Sequence, residues 1–194
     1  MKKIAFAGIL AAASLAGTAH AQAAAVPTSP VSVEVRAGAA FPTGDLSDIN
    51  KTGYTVGGNV SFAVSPMLSV YGGYTMNSFG FKDEFVNDGG ANGDASARLR
   101  VSGPEAGVKL NIPTAGGFTP FVKGAALYHR YSFSFSGDGG SGSINDDQWR
   151  WGFEAGAGVA IPLGPRISVT PAVSYTKVEH ATGVKADVGL SFHL

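Results

Sequence analysis

The C-terminal segment of the chain alternates apolar residues with polar or small ones up to the last residue. The apolar positions are Val184, Ala186, Val188, Leu190, Phe192 and Leu194, and between them lie Lys185, Asp187, Gly189, Ser191 and His193. Because strand side chains point to opposite faces with a period of two, this pattern predicts a β-strand with one apolar and one charged face. A soluble sandwich and a membrane barrel both contain such strands, so other features have to distinguish them.

The N-terminus has the parts of an export signal. Lys2 and Lys3 precede a short apolar stretch, and Ala19-His20-Ala21 fits the small-x-small cleavage pattern. We therefore expect a signal peptide over residues 1–21, with cleavage after Ala21, and a periplasmic lead-in over residues 22–30. The remaining residues, 31–194, have the size of one domain. The apolar stretch is too short for a good membrane-spanning helix, which needs about 20 apolar residues.

Composition argues against a disulfide-stabilised domain and against a nucleic-acid-binding protein. The chain has no cysteine, so disulfides cannot hold the exported domain together. Fourteen Lys and Arg residues balance fourteen Asp and Glu residues, which gives no global charge for binding nucleic acid. We expect no nucleic acid among the partners.

Eight segments with strand-like alternation follow the lead-in. They are Val31–Phe41, Gly53–Val64, Leu68–Phe79, Ser96–Ile112, Thr119–Phe135, Gln148–Ile161, Ile167–Tyr175 and the C-terminal segment. The fourth changes phase, which predicts a β-bulge at Gly103-Pro104. In the fifth, Lys123 is expected to face inward, yet it has the same parity as an aromatic stripe that begins at Tyr131. Either a second bulge or an extension beyond the membrane would explain this, and the sequence does not choose between them.

The connections alternate between short and long. Short proline-containing turns are expected at 65–67, 113–117 and 162–166, and longer polar loops at 43–52, 80–95 and 137–147, with a shorter polar one at 177–182. Outer-membrane barrels have short periplasmic turns and long external loops. The fold class is therefore predicted as all-β, an eight-stranded antiparallel up-and-down transmembrane β-barrel. A soluble sandwich or lipocalin-like barrel would not explain why Trp149 and Trp151 point outward where an aromatic girdle belongs.

Two segments resemble a known family. Residues 38–48, from Gly38 to Asp48, look like the first strand and loop of the small outer-membrane β-barrels that include opacity-like proteins and the barrels of OmpA and OmpX. The ending Phe192-His193-Leu194 is similar to the family's assembly signal, although that signal usually ends in an aromatic residue. The resemblance implies the cell outer membrane, with the barrel-assembly machinery as a partner during insertion. It implies a fold and no particular activity.

Charged residues with inward parity are expected to fill the lumen. They are Glu34, Glu105, Glu154, Asp187, Arg36, Lys109, Lys123, Arg150 and Lys185. An eight-stranded barrel encloses only enough space for side chains, and buried ions need partners. These residues therefore predict a plug of paired charges, with a gated pathway through the same network as the alternative.

No pattern indicates a catalytic, cofactor or metal site. His129 has Ser132 near it in sequence, but the two have opposite parity, so we interpret His129 as a solvated or girdle histidine; His180 is placed in a loop, and His193 in the lumen near the periplasmic rim. The aspartate-glycine loops at 87–94 and 137–142 resemble calcium-binding repeats, which work as stacks of many copies. We expect mobile loop tips, no cofactor and no metal.

The predicted function is that of a non-enzymatic monomeric outer-membrane protein for surface interaction or envelope integrity. Acidic loops lie above a possible basic rim of Arg98, Arg100 and Arg130, whose chemistry suits the phosphates of lipopolysaccharide. The partners expected are outer-membrane lipid, lipopolysaccharide and a possible extracellular ligand or host surface. The alternatives are a lipid A-modifying enzyme, with a serine activated by histidine and an acid, and a narrow pore for small or apolar solutes.

Overall fold

A computed structural model describes residues 30–82, 96–115, 117–137, 140–179 and 181–194. Eight strands and one short helix follow one another along the chain. They are β1 (Val31–Thr43), α1 (Asp45–Ile49), β2 (Gly53–Ala63), β3 (Leu68–Gly80), β4 (Ser96–Asn111), β5 (Thr119–Gly137), β6 (Gly140–Pro162), β7 (Ile167–Val178) and β8 (Ala181–His193). The expected signal peptide lies outside the described residues.

The strands form one closed barrel in which each strand pairs with its sequence neighbours. All pairings are antiparallel, and β8 returns to β1 over a register that runs from Ser32 opposite His193 to Thr43 opposite Thr182. Closure leaves no open sheet edge around the barrel wall, which a lipid environment requires. The predicted eight-stranded antiparallel barrel is confirmed.

Alternation along each strand sorts the side chains between an apolar outer wall and a more polar lumen. Val60, Phe62 and Val188 on the outer wall are more than half exposed, whereas Thr55, Thr75 and Lys185 face inward and are almost completely buried. This distribution inverts that of a soluble barrel, where apolar side chains fill the interior and polar ones face water. The outer wall therefore suits contact with lipid.

The predicted bulge at Gly103-Pro104 is wrong. β4 keeps one register with β3 from Leu68 opposite Leu110 to Gly80 opposite Arg98. Leu99 and Val101 are 2% and 4% exposed, and they share inward parity with Glu105. The apparent change of phase arises because the lumen itself becomes apolar at this level, so inward residues change from charged to apolar while the strand continues regularly.

β5 and β6 extend further than the sequence indicated. The expected loop at 137–147 is largely strand, because β5 reaches Gly137 and β6 begins at Gly140. A register shift occurs between Arg130 and Ser132, and pairing of β6 with β7 begins only at Gly152. Both explanations left open for the fifth strand therefore contribute: a register irregularity and an extension beyond the barrel wall.

The end of the barrel with the β2–β3, β4–β5 and β6–β7 turns is called the turn end here, and the opposite end, with α1 and the tip of the β5–β6 hairpin, is called the loop end. α1 lies in the connection that was expected to be an irregular polar loop, and Gly44 before it has a positive φ of 61°, which glycine adopts without a Cβ clash. β7 likewise continues to Val178, so little of the expected 177–182 loop remains. Within the described ranges, no helix is long and apolar enough to cross a membrane.

Candidate functional site: the lumen and the outer wall at the loop end

The first ion pair of the lumen joins Arg36 of β1 to Glu105 of β4. Both side chains are almost completely buried. Arg36 Nη2 also donates to Thr75 Oγ1 at 2.6 Å, and Thr75 in turn donates to Glu105 Oε2 at 2.7 Å. This triangle links three strands across the lumen. A guanidinium with two such acceptors is held in one geometry, as buried charges require.

The second cluster places one acid between two bases. Lys123 Nζ lies 2.8 Å from Glu154 Oε1, and Lys185 Nζ lies 2.5 Å from Glu154 Oε2. The Glu154 side chain is 1% exposed. The three residues come from β5, β6 and β8, so this cluster also ties separate parts of the wall together.

Glu34, nearer the turn end, is held mainly by neutral donors. It accepts hydrogen bonds from Asn59, Thr170 and Ser191 at 2.8 to 3.0 Å, and Arg36 Nη1 lies 4.0 Å away. Lys109 Nζ lies 5.2 Å from the centre of the Phe121 ring, and the buried Asp187 lines the same cavity as Glu34 and Lys109. Eight of the nine residues predicted for the lumen therefore meet in one charged layer.

Arg150 is the exception among the predicted lumen charges. Its Nη1 lies 2.5 Å from Glu179 Oε2, and the two side chains are 26% and 44% exposed. Its guanidinium also lies over the Tyr131 ring at 5.1 Å. Arg150 has inward parity, but it lies at the loop end, where it reaches the β7–β8 turn instead of the charged layer.

A second layer, which the sequence reasoning missed, fills the lumen toward the loop end. It is an apolar cluster made of Ala40, Phe79, Leu99, Val101, Leu127, Tyr131 and Val178. Leu46 of α1 and Phe81 pack against it and cover it. The signal was present in the parity of Leu99, Val101 and Leu127, which matches that of inward charges on the same strands.

Two small cavities lie inside the two layers among the residues that the structure describes. A cavity of about 20 Å³ lies in the charged layer beside Tyr71 and Lys109, and one of about 30 Å³ lies beside Leu127 and His129. A buried water needs roughly 10–15 Å³ of such volume. The cavities therefore have room for one or two waters each. Small inward residues leave room for the large inward side chains. A Cβ on Gly158, for example, would lie 2.6 Å from Phe121 Cζ.

The interpretation of His129 as a solvated or girdle residue is wrong. His129 is 1% exposed and points into the lumen, beside the apolar layer. His193 faces the lumen at the turn end as expected, and its Nε2 lies 3.0 Å from Ser168 Oγ. His180 lies outside the described residues. No group of three or more metal-binding side chains occurs in the part of the chain that the structure describes.

The outer wall at the loop end carries aromatic and basic residues together. Tyr128 stacks on Trp149 at 5.0 Å and lies 4.7 Å from Trp151, and the Arg130 guanidinium lies 5.7 Å from the Trp149 ring centre. Both tryptophans are exposed, at 40% and 69%. The two tryptophans point outward as expected, and we call them together with Tyr128 the aromatic girdle, with Arg130 at its upper edge. Of the ten acidic residues that the sequence places in these loops, five lie outside the described residues: Asp83, Glu84, Asp88, Asp94 and Asp138.

The comparisons agree with this architecture. Among curated proteins, none matches the chain significantly. Similar solved structures include neisserial surface protein A, at 15% identity and a TM-score of 0.62 over 86% of this chain and 98% of that one. A major outer membrane protein of Thermus thermophilus is similar at 12% identity and 0.57, covering 84% and 98%. The attachment invasion locus protein Ail of Yersinia pestis is similar at 14% and 0.53, covering 84% and 96%.

These similarities show the fold alone, because the sequence identities are low. The family of the chain is shown by a family model that matches residues 9–193, nearly the whole chain. That model describes the outer membrane protein β-barrel domain, in agreement with the closed barrel and its apolar outer wall. The chain belongs to the outer membrane protein β-barrel domain family.

Proposed function

We propose that this chain is a non-enzymatic integral outer-membrane protein whose lumen is closed and whose loop end acts at the cell surface, in surface interaction or envelope integrity. The observation that carries the proposal is the pair of layers across the lumen. Charged side chains, most of them in ion pairs, fill one level, and an apolar cluster fills the next. An ion would have to break buried pairs and then enter an apolar zone, and both steps are costly.

A solute-flux experiment tests the closed lumen. Proteoliposomes that contain the folded chain should swell in an isotonic sugar solution no faster than protein-free liposomes. A general porin at the same protein-to-lipid ratio is the positive control. Swelling at a porin-like rate would overturn the proposal.

The extended β5–β6 hairpin supports a role in surface interaction. Phe133, Phe135 and Ile144 are 39%, 50% and 63% exposed. Phe133 pairs with Ile144 across the hairpin, and its ring lies 6.4 Å from that of Phe81, so this face turns toward the barrel axis. Exposed apolar residues that project above a barrel are the kind of side chain that anchors a protein contact.

Cells that display the wild-type chain should adhere to a host-cell monolayer better than cells with the Phe135→Ser and Ile144→Ser substitutions. Ser134→Ala and Ser143→Ala are the matched controls, because both serines are exposed on the same hairpin. Equal adhesion of all variants, at equal surface amounts, would exclude this face as the contact.

The narrow pore for apolar solutes remains the second candidate, and one observation favours it. The cavity beside Leu127 is lined by inward residues together with Phe41 and Val184, which are a cross-strand pair at the β1–β8 seam. A lateral path between lumen and outer wall would pass this seam. Faster uptake of an apolar dye into proteoliposomes than into empty liposomes would favour the pore over the closed barrel.

The enzymatic alternative has less support. The Ser168–His193 contact faces the lumen at the turn end, away from the outer wall where a lipid substrate would approach. Mass spectrometry of lipid A from a deletion strain decides the question. An unchanged lipid A profile is expected, and the loss of a modified form would indicate an enzyme.

The proposal includes the maturation and orientation of the chain. Export would remove residues 1–21, and the barrel of residues 31–194 would be inserted by the assembly machinery as a monomer with its turn end toward the periplasm. The mass of the mature protein tests the first step. It should correspond to a chain that begins at Gln22.

A further inference from the structure

Three arginines lie together on the outer wall at the loop end. Arg98 and Arg100 of β4 and Arg130 of β5 are all exposed, and we call them the arginine patch. Arg100 is opposite Ser132, and Arg130 is opposite Ser102, so Arg100 and Arg130 are diagonal neighbours. Diagonal pairs on adjacent strands are about 7–8 Å apart, and residues two apart on one strand are about 7 Å apart. The three guanidinium groups can therefore reach one ligand.

The patch lies at the boundary between the apolar outer wall and the more polar surface of the loop end. Toward the turn end, the outer wall of the same strands is apolar, with Ala106, Val108 and Val122 exposed. At the boundary, Arg130 lies over Trp149 within the aromatic girdle. Counted from the pair of Arg130 with Ser102, Arg100 lies two pairs and Arg98 four pairs further along β4. The patch is therefore at the height where lipid headgroups begin, just above the hydrocarbon.

No carboxylate whose side chain the structure describes pairs with any arginine of the patch, whereas Arg36 and Arg150 each have one. Three like charges close together repel one another, and their position beside an apolar band limits solvation by water. An anion from outside the chain would relieve both costs. Guanidinium groups bind phosphate oxygens with paired hydrogen bonds, and a stacked arginine keeps its donors oriented.

We propose that the arginine patch binds the phosphate groups of lipid A, the phosphorylated glycolipid of the outer leaflet. This inference rests on the proposed function, because it needs the loop end to face outward. A glycerophospholipid headgroup also carries phosphate. Lipid A fits better because its two phosphates are carried at opposite ends of one sugar disaccharide, which matches a row of three cations better than a single phosphate does.

The test uses the purified, folded chain in detergent and native mass spectrometry with three separate probes. These are bisphosphorylated lipid A, the same lipid without phosphates, and phosphatidylglycerol. The variant is R98Q/R100Q/R130Q, and Arg166→Gln is the matched control, because Arg166 is exposed at the turn end. The heat-dependent gel shift of folded barrels verifies that each variant is folded. Arg100→Gln alone serves if the triple variant does not fold.

The wild type and Arg166→Gln should bind bisphosphorylated lipid A at least about tenfold more tightly than the triple variant, since one charged hydrogen bond is worth roughly that factor. Arg100→Gln should show a smaller loss. Equal binding by the triple variant, or equal binding of dephosphorylated lipid A, would overturn the site. Phosphatidylglycerol binding as tightly as lipid A would overturn the choice of lipid. Solute flux through the wild type would overturn the closed lumen without affecting these binding results.

Discussion

At the scale of single residues, Glu154 is the acid on which the charged layer most depends. It faces Lys123 and Lys185 together and is buried. Glu154→Gln would leave two ammonium groups without their acid, so it should lower the free energy of unfolding by about 3–5 kcal/mol. Urea unfolding of the chain in lipid vesicles measures the change.

Glu179→Gln is the control for this substitution. It removes the partner of Arg150 in a pair that is partly exposed, so it should change the free energy of unfolding by only about 0–1 kcal/mol. Equal effects of the two substitutions would mean that the charged layer is well hydrated in the membrane.

Inward glycines make room for large inward side chains. A Cβ on Gly158 would lie 2.6 Å from both Phe121 Cζ and Pro171 O, whereas the nearest atom to a Cβ on Gly124 would be 3.9 Å away. Gly158→Ala should therefore destabilise the barrel by about 1–3 kcal/mol, as overpacking does. Gly124→Ala should stay within about 0.5 kcal/mol of the wild type in the same unfolding experiment.

Residue type and parity predicted the charged layer but not the apolar one. Charged residues at alternate positions indicated the lumen, and eight of the nine do meet there. Leu99 and Val101 were misinterpreted because an apolar residue in a membrane barrel is expected to face lipid. His129 was misplaced for the corresponding reason: a polar side chain was expected to be in water. The stagger of the eight strands determines which side chains lie at the same height in the lumen. The sequence of a single strand does not contain that information.

At the scale of strands, β8 closes the barrel. Its Phe192 is opposite Val33 of β1 and Ile167 of β7 and lies on the outer wall. Phe192→Asp would place a charge on that wall at the closing seam, so it should abolish the heat-dependent gel shift of the folded barrel. Ser143→Asp, on the exposed hairpin, should leave the shift intact. A normal shift and a normal membrane yield for Phe192→Asp would show that this segment does not close the barrel.

The β5–β6 hairpin allows a test of orientation. An epitope inserted between Gly137 and Gly140 should be accessible to antibody on intact cells, because our proposal places the loop end outside. The same epitope inserted after Thr114, in the β4–β5 turn, should become accessible only after the outer membrane is opened. The reverse pattern would invert the orientation and remove the basis for lipid A at the arginine patch.

Strand ends were harder to predict than strand number. Alternation identified all eight strands because each spans the same wall and keeps one apolar face. It did not locate the end of β5, where Phe133 and Phe135 continue the alternation past the girdle, nor the start of β6 at Gly140. Glycine and serine at these positions were interpreted as a loop. The pairing of the two strands with each other keeps them extended, and a local pattern does not show such pairing.

At the scale of the whole molecule, the outer wall, the girdle and the two lumen layers support our proposal of a barrel that spans the membrane without an open channel. The apolar outer wall follows from the alternation of side chains along the strands, and we expect a closed lumen because an eight-stranded barrel is small. Neither the outer wall nor the lumen identifies the partner at the loop end, because the fold does not constrain the side chains of the surface.

Recording from planar bilayers tests the closed lumen most directly. Purified, folded wild-type chain should produce no stable conductance steps at any applied voltage that the bilayer tolerates, because we propose that the charged and apolar layers leave no continuous path for water. Large, steady, ion-selective currents from the folded monomer would contradict the account.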